Sequence, residues 1–360
     1  MKVSRADVLG LRLRAQQLDR DGGGTVADTA VLDIGAQDTG PDGALWALAV
    51  RGLTELDEKD LVWLWTLRAA PHAYRRSDVG SVAAAVAPWS DADAAKRIFD
   101  ASKPLRAAGI GTLEALDDVA AEMRRVVTKP TVKGEVSTRL AAVMPEPYLR
   151  WCNPCQATHL YEQPFRLAAV RAGLELQPHT SPPVLQRVRG FRAARHPDAR
   201  HELVRAYLRF FGPSTPQLVA GFLDAPLTEV KGRWPDDVVE VDLDGRRRWL
   251  LADSVDLLGA PPATTRLLGP YDLYLQGKDR PLLVRDPART KALWPVIGRP
   301  GAVLVDGEVA GTWRPRTKGG RLRLEVLLWS TRRTARAHVA DQAERLAAHR
   351  GVGLAGVDIS

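Results

Sequence analysis

The chain has 360 residues, 45% of them hydrophobic, a net charge of +8 and two cysteines. That length and apolar content support two or three domains with ordinary cores. The longest apolar runs, "GSVAAAVAPW" and "LRLEVLLW", fall short of the ~20 residues a membrane span needs, the N-terminus is charged where a signal peptide is apolar, and two cysteines exclude a secreted disulfide scaffold, so a cytoplasmic protein is expected.

Charge is unevenly placed. Thr312 to Arg350 carries ten basic residues against three acidic, and Leu185 to Arg209 seven against two. Asp19 to Asp60 runs the other way, with ten acids and three bases. The basic stretches favour an anionic partner, with nucleic acid the leading candidate.

In chain order, "SRADVLGLRLRAQQL" reads as a helix capped by Ser4, followed by the break "DGGGT". "TVADTAVLDIGA" has small and apolar residues at helical spacing with Asp28 as a cap, and "DTGPDG" stops it before "ALWALAV", so Gln37 and Asp38 are expected at or just past a helix end. "TELDEKDLVWLWTLR" also reads as a helix, with an acidic first turn and Trp63 and Leu67 four apart. "APHAYRRSDVGSVAAAV" should cross a loop into another helix led by Ser77 or Asp78, and three helical patterns follow between Ser90 and Met144.

Further on, "DARHELVRAYLRFFG", "STPQLVAGFL" and "PLTEVKGRW" predict three helices, and "VVEVDLDGRRRWLLA" a hairpin turning at Asp244-Gly245. Helix, helix, helix, hairpin is the winged-helix order. The segments "RLLGPYDLYLQGKDRPLL" and "GAVLVDGEVAGTWRPRTKGGRLRLEVLLW" read as β-rich, the second with a hairpin on Asp306-Gly307, and "TARAHVADQAERLAAHR" as a closing helix. The expected class is α+β, with tandem winged-helix (helix-turn-helix) motifs over 1–75, 76–180 and 181–262, then a β-barrel-like subdomain and C-terminal helix over 263–360.

Several stretches carry candidate chemistry. Arg246, Arg247 and Arg248 on the hairpin suit phosphate contact, the bland alternative being a solvated tip. Lys231 and Arg233 near the third helix are groove or phosphate contacts, or ordinary surface charge. Lys278 and Arg280 form a basic loop after a strand, beside Asp272 and Asp279. His72, among Arg68, Arg75 and Arg76, is biased towards neutrality and reads as a proton shuttle, a phosphate contact or a structural helix-start residue. Cys152, Cys155 and His159 supply three-quarters of a tetrahedral zinc site, but with no second pair in the sequence the default is buried free thiols and no metal is assigned. Walker, GxGxxG-after-strand and GxSxG motifs are missing, so no nucleotide cofactor and no other cofactor is expected.

Taken in order, "GAQD", "ALWALAVRG", "LWTLRAAPH", "RWCNPC", "STPQLVAGF", "GPYDLYLQGKDR" and "VLVDGEVAGTWRPR" resemble the winged-helix family that contains the AlkZ and YcaQ DNA glycosylases, from about Val3 to about Ala348. The resemblance implies three tandem winged helices around a DNA channel, and excision of bulky or N-alkylated purines from alkylated or crosslinked double-stranded DNA. It also implies a Gln-any-Gln or Gln-any-Asp motif that positions water at the sugar C1′. Laid on this chain, the motif's second position is Gln37, followed by Asp38, while its first position is Gly35. Asp38 or Asp33 would then stabilise the developing positive charge. The family's "RGTLH" appears as "RAAPH", where Pro71 stiffens the approach to His72.

Three readings follow. The first is a DNA repair glycosylase using Gln37 and Asp38, with DNA held by Arg68, His72, Lys231, Arg233, Arg246, Arg247, Arg248, Lys278 and Arg280. The alternative, favoured by Gly35, is a non-catalytic winged-helix regulator or lesion binder. A second polar side chain filling the place left by Gly35 would discriminate between them. A structural protein binding RNA or an acidic partner is a third reading, without an RNA-binding signature to support it.

Overall fold

The computed structural model describes residues 1–40, 42–329 and 333–360. Pro41 of the turn "DTGPDG" and Arg332 of the basic C-terminal stretch lie outside them. The chain forms two compact units, Met1–Leu56 with Tyr207–Leu218 and Pro235–Ser360, and Asp57–Ala206 with Val219–Trp234. Each is assembled from separated stretches of the chain.

In the first unit, helix Arg5–Ala15 starts at a capping box. The Ser4 side chain accepts from the Asp7 amide, and the Asp7 carboxylate accepts from the Ser4 amide at 2.9 Å. Its buried Val8 and Leu11 share a core cluster with Val241, Leu243 and Leu250 of the hairpin Val238–Leu243/Arg246–Leu251. That hairpin turns at Asp244 and Gly245 with φ of +53° and +75°, the conformation an Asp-Gly pair tolerates best.

A five-stranded sheet runs in the order Thr265–Leu268, Gly301–Val305, Glu308–Lys318, Arg321–Leu328 and Gly353–Ile359. The first four strands are antiparallel and the last is parallel to its neighbour. Arg321–Leu328 alternates exposed and buried residues, as a strand with one wet face must. Helix Arg333–His349 buries Val339, Ala343 and Leu346 in the same core as the sheet's Leu322, Leu324 and Val326. Among the described residues the five strands form one open sheet, and its last strand was not foreseen. Within the segment read as β-rich from Arg266 to Leu283, only the start is strand; a 3-10 turn, Leu273–Leu275, and a short helix, Arg280–Leu283, follow.

The helix expected over Thr25–Ala36 is instead a 3-10 turn, Ala30–Asp33, and a two-residue strand, Ala36–Gln37. The reason is Gly35, whose φ of +94° ends the turn while its amide donates to Val31 O at 2.9 Å. Asp28 folds back onto the Thr25 amide at 2.9 Å rather than capping a helix.

In the second unit the helix expected over Thr54–Arg68 is replaced by a 3-10 turn, Glu58–Asp60, and the strand Leu61–Trp65, all five residues of which are buried. A strand covered on both faces has no alternation, so its apolar run matches a helical pattern equally well. It pairs antiparallel with Pro71–Arg75, where a loop was expected, and the sheet continues through Leu174–Leu176, Val184–Arg187 and Thr131–Val132. The helical patterns between Ser90 and Met144 form Asp91–Arg97, Ser102–Ala107, Thr112–Val126 and Lys133–Ala141. The last is followed by the hairpin Leu149–Cys152/Ala157–Leu160. Among the described residues, no helix is long and apolar enough to cross a membrane.

Candidate functional site

Gln37 ends the strand that Gly35 launches, and its side chain is half-buried. Its Nε2 donates to Thr39 Oγ1 at 3.1 Å, and its Oε1 accepts from Gln276 Nε2 at 3.4 Å. A second amide therefore stands beside Gln37, supplied by a residue 239 positions away rather than by position 35. Gln276 was not among the residues singled out from the sequence. It lies between Asp272 and Lys278, which were, and only the tertiary fold brings it to Gln37.

Buried ions hold Gln276 in place. Asp272 caps the turn Leu273–Leu275 by accepting from the Tyr274 amide at 2.9 Å, and Gln276 is the residue that closes that turn. The Asp272 carboxylate also takes a bidentate pair from Arg51 at 2.7 and 2.8 Å, with both side chains fully buried. Arg51 further donates to Ala47 O at 2.7 Å and contacts Gln16 Oε1 at 3.3 Å. Gln276 Nε2 is shared with Tyr271 O at 3.0 Å, and Trp294 Nε1 donates to Leu275 O at 3.2 Å. The loop is thus fixed by contacts on both sides of the amide.

Asp38 accepts from the Ala44 amide at 2.9 Å, in the first turn of helix Gly43–Ala49, so its carboxylate serves the helix N-terminus. Asp33 is paired with Arg209 at 3.0 Å. The two acids read as substitutes for a missing motif member both carry structural bonds.

The basic residues divide into two groups. Arg246, Arg247, Lys231 and Lys278 are exposed, with Arg247 paired to Glu240 at 2.9 Å on the surface. Arg248 departs from the expectation of a phosphate contact. Its side chain is 13% exposed and donates to Asp279 at 3.1 Å, where Arg12 adds a bidentate pair at 2.7 and 3.0 Å. Burial alone would raise the Asp279 carboxyl, but the Arg12 charge and hydrogen bonds outweigh it and hold it below the ordinary range. Arg233 is exposed yet paired to Glu229 and stacked over Trp89 at 4.5 Å. Arg280 packs over Trp294 at 4.9 Å and follows a 3-10 turn, not a strand.

His72 lies on a strand and is buried, which overturns both its expected role as a phosphate contact and its place at a helix start. Burial, with the Arg68 charge second, pushes its imidazole down to about 3, so it is neutral as the neighbouring arginines suggested. Its Nδ1 donates to Ala70 O at 2.9 Å and lies 3.1 Å from Thr66 Oγ1, which contacts Tyr74 Oη at 2.9 Å. Arg68 sits in the left-handed region, φ +56°, followed by Ala69 at +54°, with its guanidinium 4.7 Å from the Phe222 ring centre. Two consecutive non-glycine residues there store strain. Arg68, Lys96, Arg97 and Gln163 line a cleft of about 150 Å³ in this unit.

Cys155 is exposed and Cys152 half-buried, so the buried-thiol expectation fails. One ligand atom each from Cys152, Cys155 and His159 lie within 4.8 Å of one another.

A family model described as DNA glycosylase AlkZ-like matches residues 45–349. The chain belongs to the AlkZ-like DNA glycosylase family. The matched segment includes Gln276 and begins after Gln37. An interstrand DNA cross-link repair glycosylase of Streptomyces sahachiroi is 32% identical over 128 residues, which cover 32% of this chain and 34% of that protein. The chain thus aligns with about a third of the length of that curated relative. The solved structure of the Streptomyces sahachiroi DNA glycosylase AlkZ matches with a TM-score of 0.74 at 21% identity, covering 100% of both chains, which shows a shared fold.

Proposed function

We propose that this protein is a DNA repair glycosylase that hydrolyses the N-glycosidic bond of bulky or N-alkylated purines in alkylated or crosslinked duplex DNA. The observation that carries the reading is the Gln37–Gln276 amide pair at 3.4 Å, which restores two polar side chains where Gly35 leaves one. Family membership supports the same reaction class.

An amide is no base, but an N7- or N3-alkylated purine is already cationic and departs as a neutral base without prior protonation. What the site must supply is a held water and tolerance of positive charge at the sugar. An amide can both donate and accept, so Gln37 and Gln276 together orient the water towards C1′. Asp38, tied to the Ala44 amide, offers negative charge to the oxocarbenium-like sugar and takes the proton the water sheds. The damaged base must leave the stack to be cut, a step that lesions make less costly.

For DNA contact we read the helices Leu203–Phe211, Pro216–Leu223 and Leu227–Gly232 and the hairpin after them as a winged helix, following motif order, with 1–75 and 76–180 as the other two. Exposed Arg246, Arg247 and Lys278 in the first unit, and exposed Lys231 in the second, are each phosphate contacts in this reading, and duplex affinity then falls steeply with salt. Release of N7-alkylguanine from duplex DNA by the wild type, reduced roughly 10²–10³-fold in Gln37→Ala, is the expected result. Duplex binding with no release of any N-alkylated purine by the wild type would return the protein to the non-catalytic reading.

A further inference from the structure

We propose that Cys152, Cys155 and His159 form a binding site for a zinc-class divalent ion that pins the tip of the hairpin Leu149–Cys152/Ala157–Leu160, with water as the fourth ligand. The hairpin register pairs Cys152 with Ala157 and Arg150 with His159, so Cys152 and His159 project from the same face of the two-stranded ribbon. Cys155 comes from the turn between them, where Gln156 at φ +49° sends the chain back. The three ligand atoms already lie within 4.8 Å of one another. A tetrahedral site with Zn–S of about 2.3 Å and Zn–N of about 2.0 Å requires separations of roughly 3.5–3.8 Å, so side-chain rotation closes the gap without moving the strands.

The surroundings fit a metal better than resting thiols. His159 Nδ1 lies 3.4 Å from Ser137 Oγ, on helix Lys133–Ala141. An Nδ1–H donated there leaves Nε2 as the basic nitrogen for the ion and fixes the ring, the usual arrangement behind a metal-bound histidine. Two thiolates neutralise a divalent charge, so the site adds no net charge to the hairpin. The half-buried and exposed positions of the two thiols give an ion access, and the 57% exposed Trp151 beside Cys152 is then carried on a fixed tip rather than a loose one.

The test is metal content and cobalt spectroscopy on the full chain, purified under a non-chelating reductant. About one zinc per chain, and on Co²⁺ addition a thiolate-to-cobalt charge-transfer band with four-coordinate d–d absorption, is the expected result. Both signals should vanish in Cys152→Ser/Cys155→Ser, and Ser137→Ala should weaken zinc binding roughly 10–100-fold. If the double variant does not fold, the cobalt spectrum of the wild type decides alone. A reduced, folded wild type with no stoichiometric zinc and no charge-transfer band overturns the proposal, as does zinc that persists after both cysteines are replaced.

Discussion

The loop Asp272–Gln276 and the turn Thr66–Tyr74 both bury polar side chains, but they do so with different chemistry. In the first, a guanidinium meets a carboxylate with both side chains fully buried. In the second, the buried group is an imidazole forced neutral, linked to Thr66, Tyr74 and a carbonyl. The ion pair fixes the position of the neighbouring amide through the turn that Asp272 caps. A neutral histidine leaves a titration that acid can exploit. The region that would align a water thus rests on an ion pair, and the region with stored backbone strain on a group that acid can charge.

The largest effect is expected from Asp272→Asn. It leaves the Arg51 guanidinium buried beside a neutral amide and should destabilise the protein by about 3–5 kcal/mol in chemical denaturation. A loss under 1 kcal/mol would mean the pair is not what holds the loop.

Gly35→Gln comes next. At φ +94° any side chain is strained, so the substitution should cost about 1–3 kcal/mol and bring no gain in base release. A gain in rate would show that position 35 can still serve as the motif's first member and that Gln276 does not stand in for it.

At His72 the folded value is lowered, so its contribution is complete above the unfolded value near 6.5 and is lost as pH falls towards about 3. Between those limits stability should drop by about 1.4 kcal/mol per pH unit from this group alone. His72→Asn, which keeps a donor for Ala70 O, should flatten the slope in pH-dependent denaturation; an unchanged slope would place the acid sensitivity elsewhere, and a separate loss at lower pH is expected from the charged cluster around Asp78. There burial would raise the carboxyl, but bonds from His201 and Ser77 and the Arg200 charge hold it at about 2. Its support is therefore present above the ordinary carboxylate range and lost only as pH falls towards 2.

The smallest effect belongs to the hairpin tip at Asp244-Gly245. Arg246→Ala and Arg247→Ala should each lower the salt dependence of duplex binding by about 0.9 in log–log slope, with folding unchanged. Arg248→Ala should instead act on stability, because its partner is the buried Asp279.

These contrasts also mark what the sequence could reveal. The Ser4 cap and the Asp-Gly turns at 244 and 306 were legible because each depends on a few adjacent residues, and all three formed as read. Leu61–Trp65 was not, since a strand buried on both faces lacks the alternation that betrays it. Arg248 illustrates the same limit for charge. Three consecutive arginines look alike in sequence, while the strand's alternation puts Arg246 and Arg248 on one face and only Arg248, farther from the hairpin turn, meets Asp279. Gln37 was visible through a local motif, and its partner was not, because Gln276 reaches it only through the buried Arg51–Asp272 pair and the turn that Asp272 caps.

Whether Gln37 and Gln276 work as one unit is read from a double-mutant cycle on single-turnover release of N7-alkylguanine. Gln37→Ala and Gln276→Ala should each slow release, and the double variant should be scarcely slower than the worse single one, since removing either amide already loses the water. Full activity in Gln276→Ala, or single effects that simply add, would contradict the account.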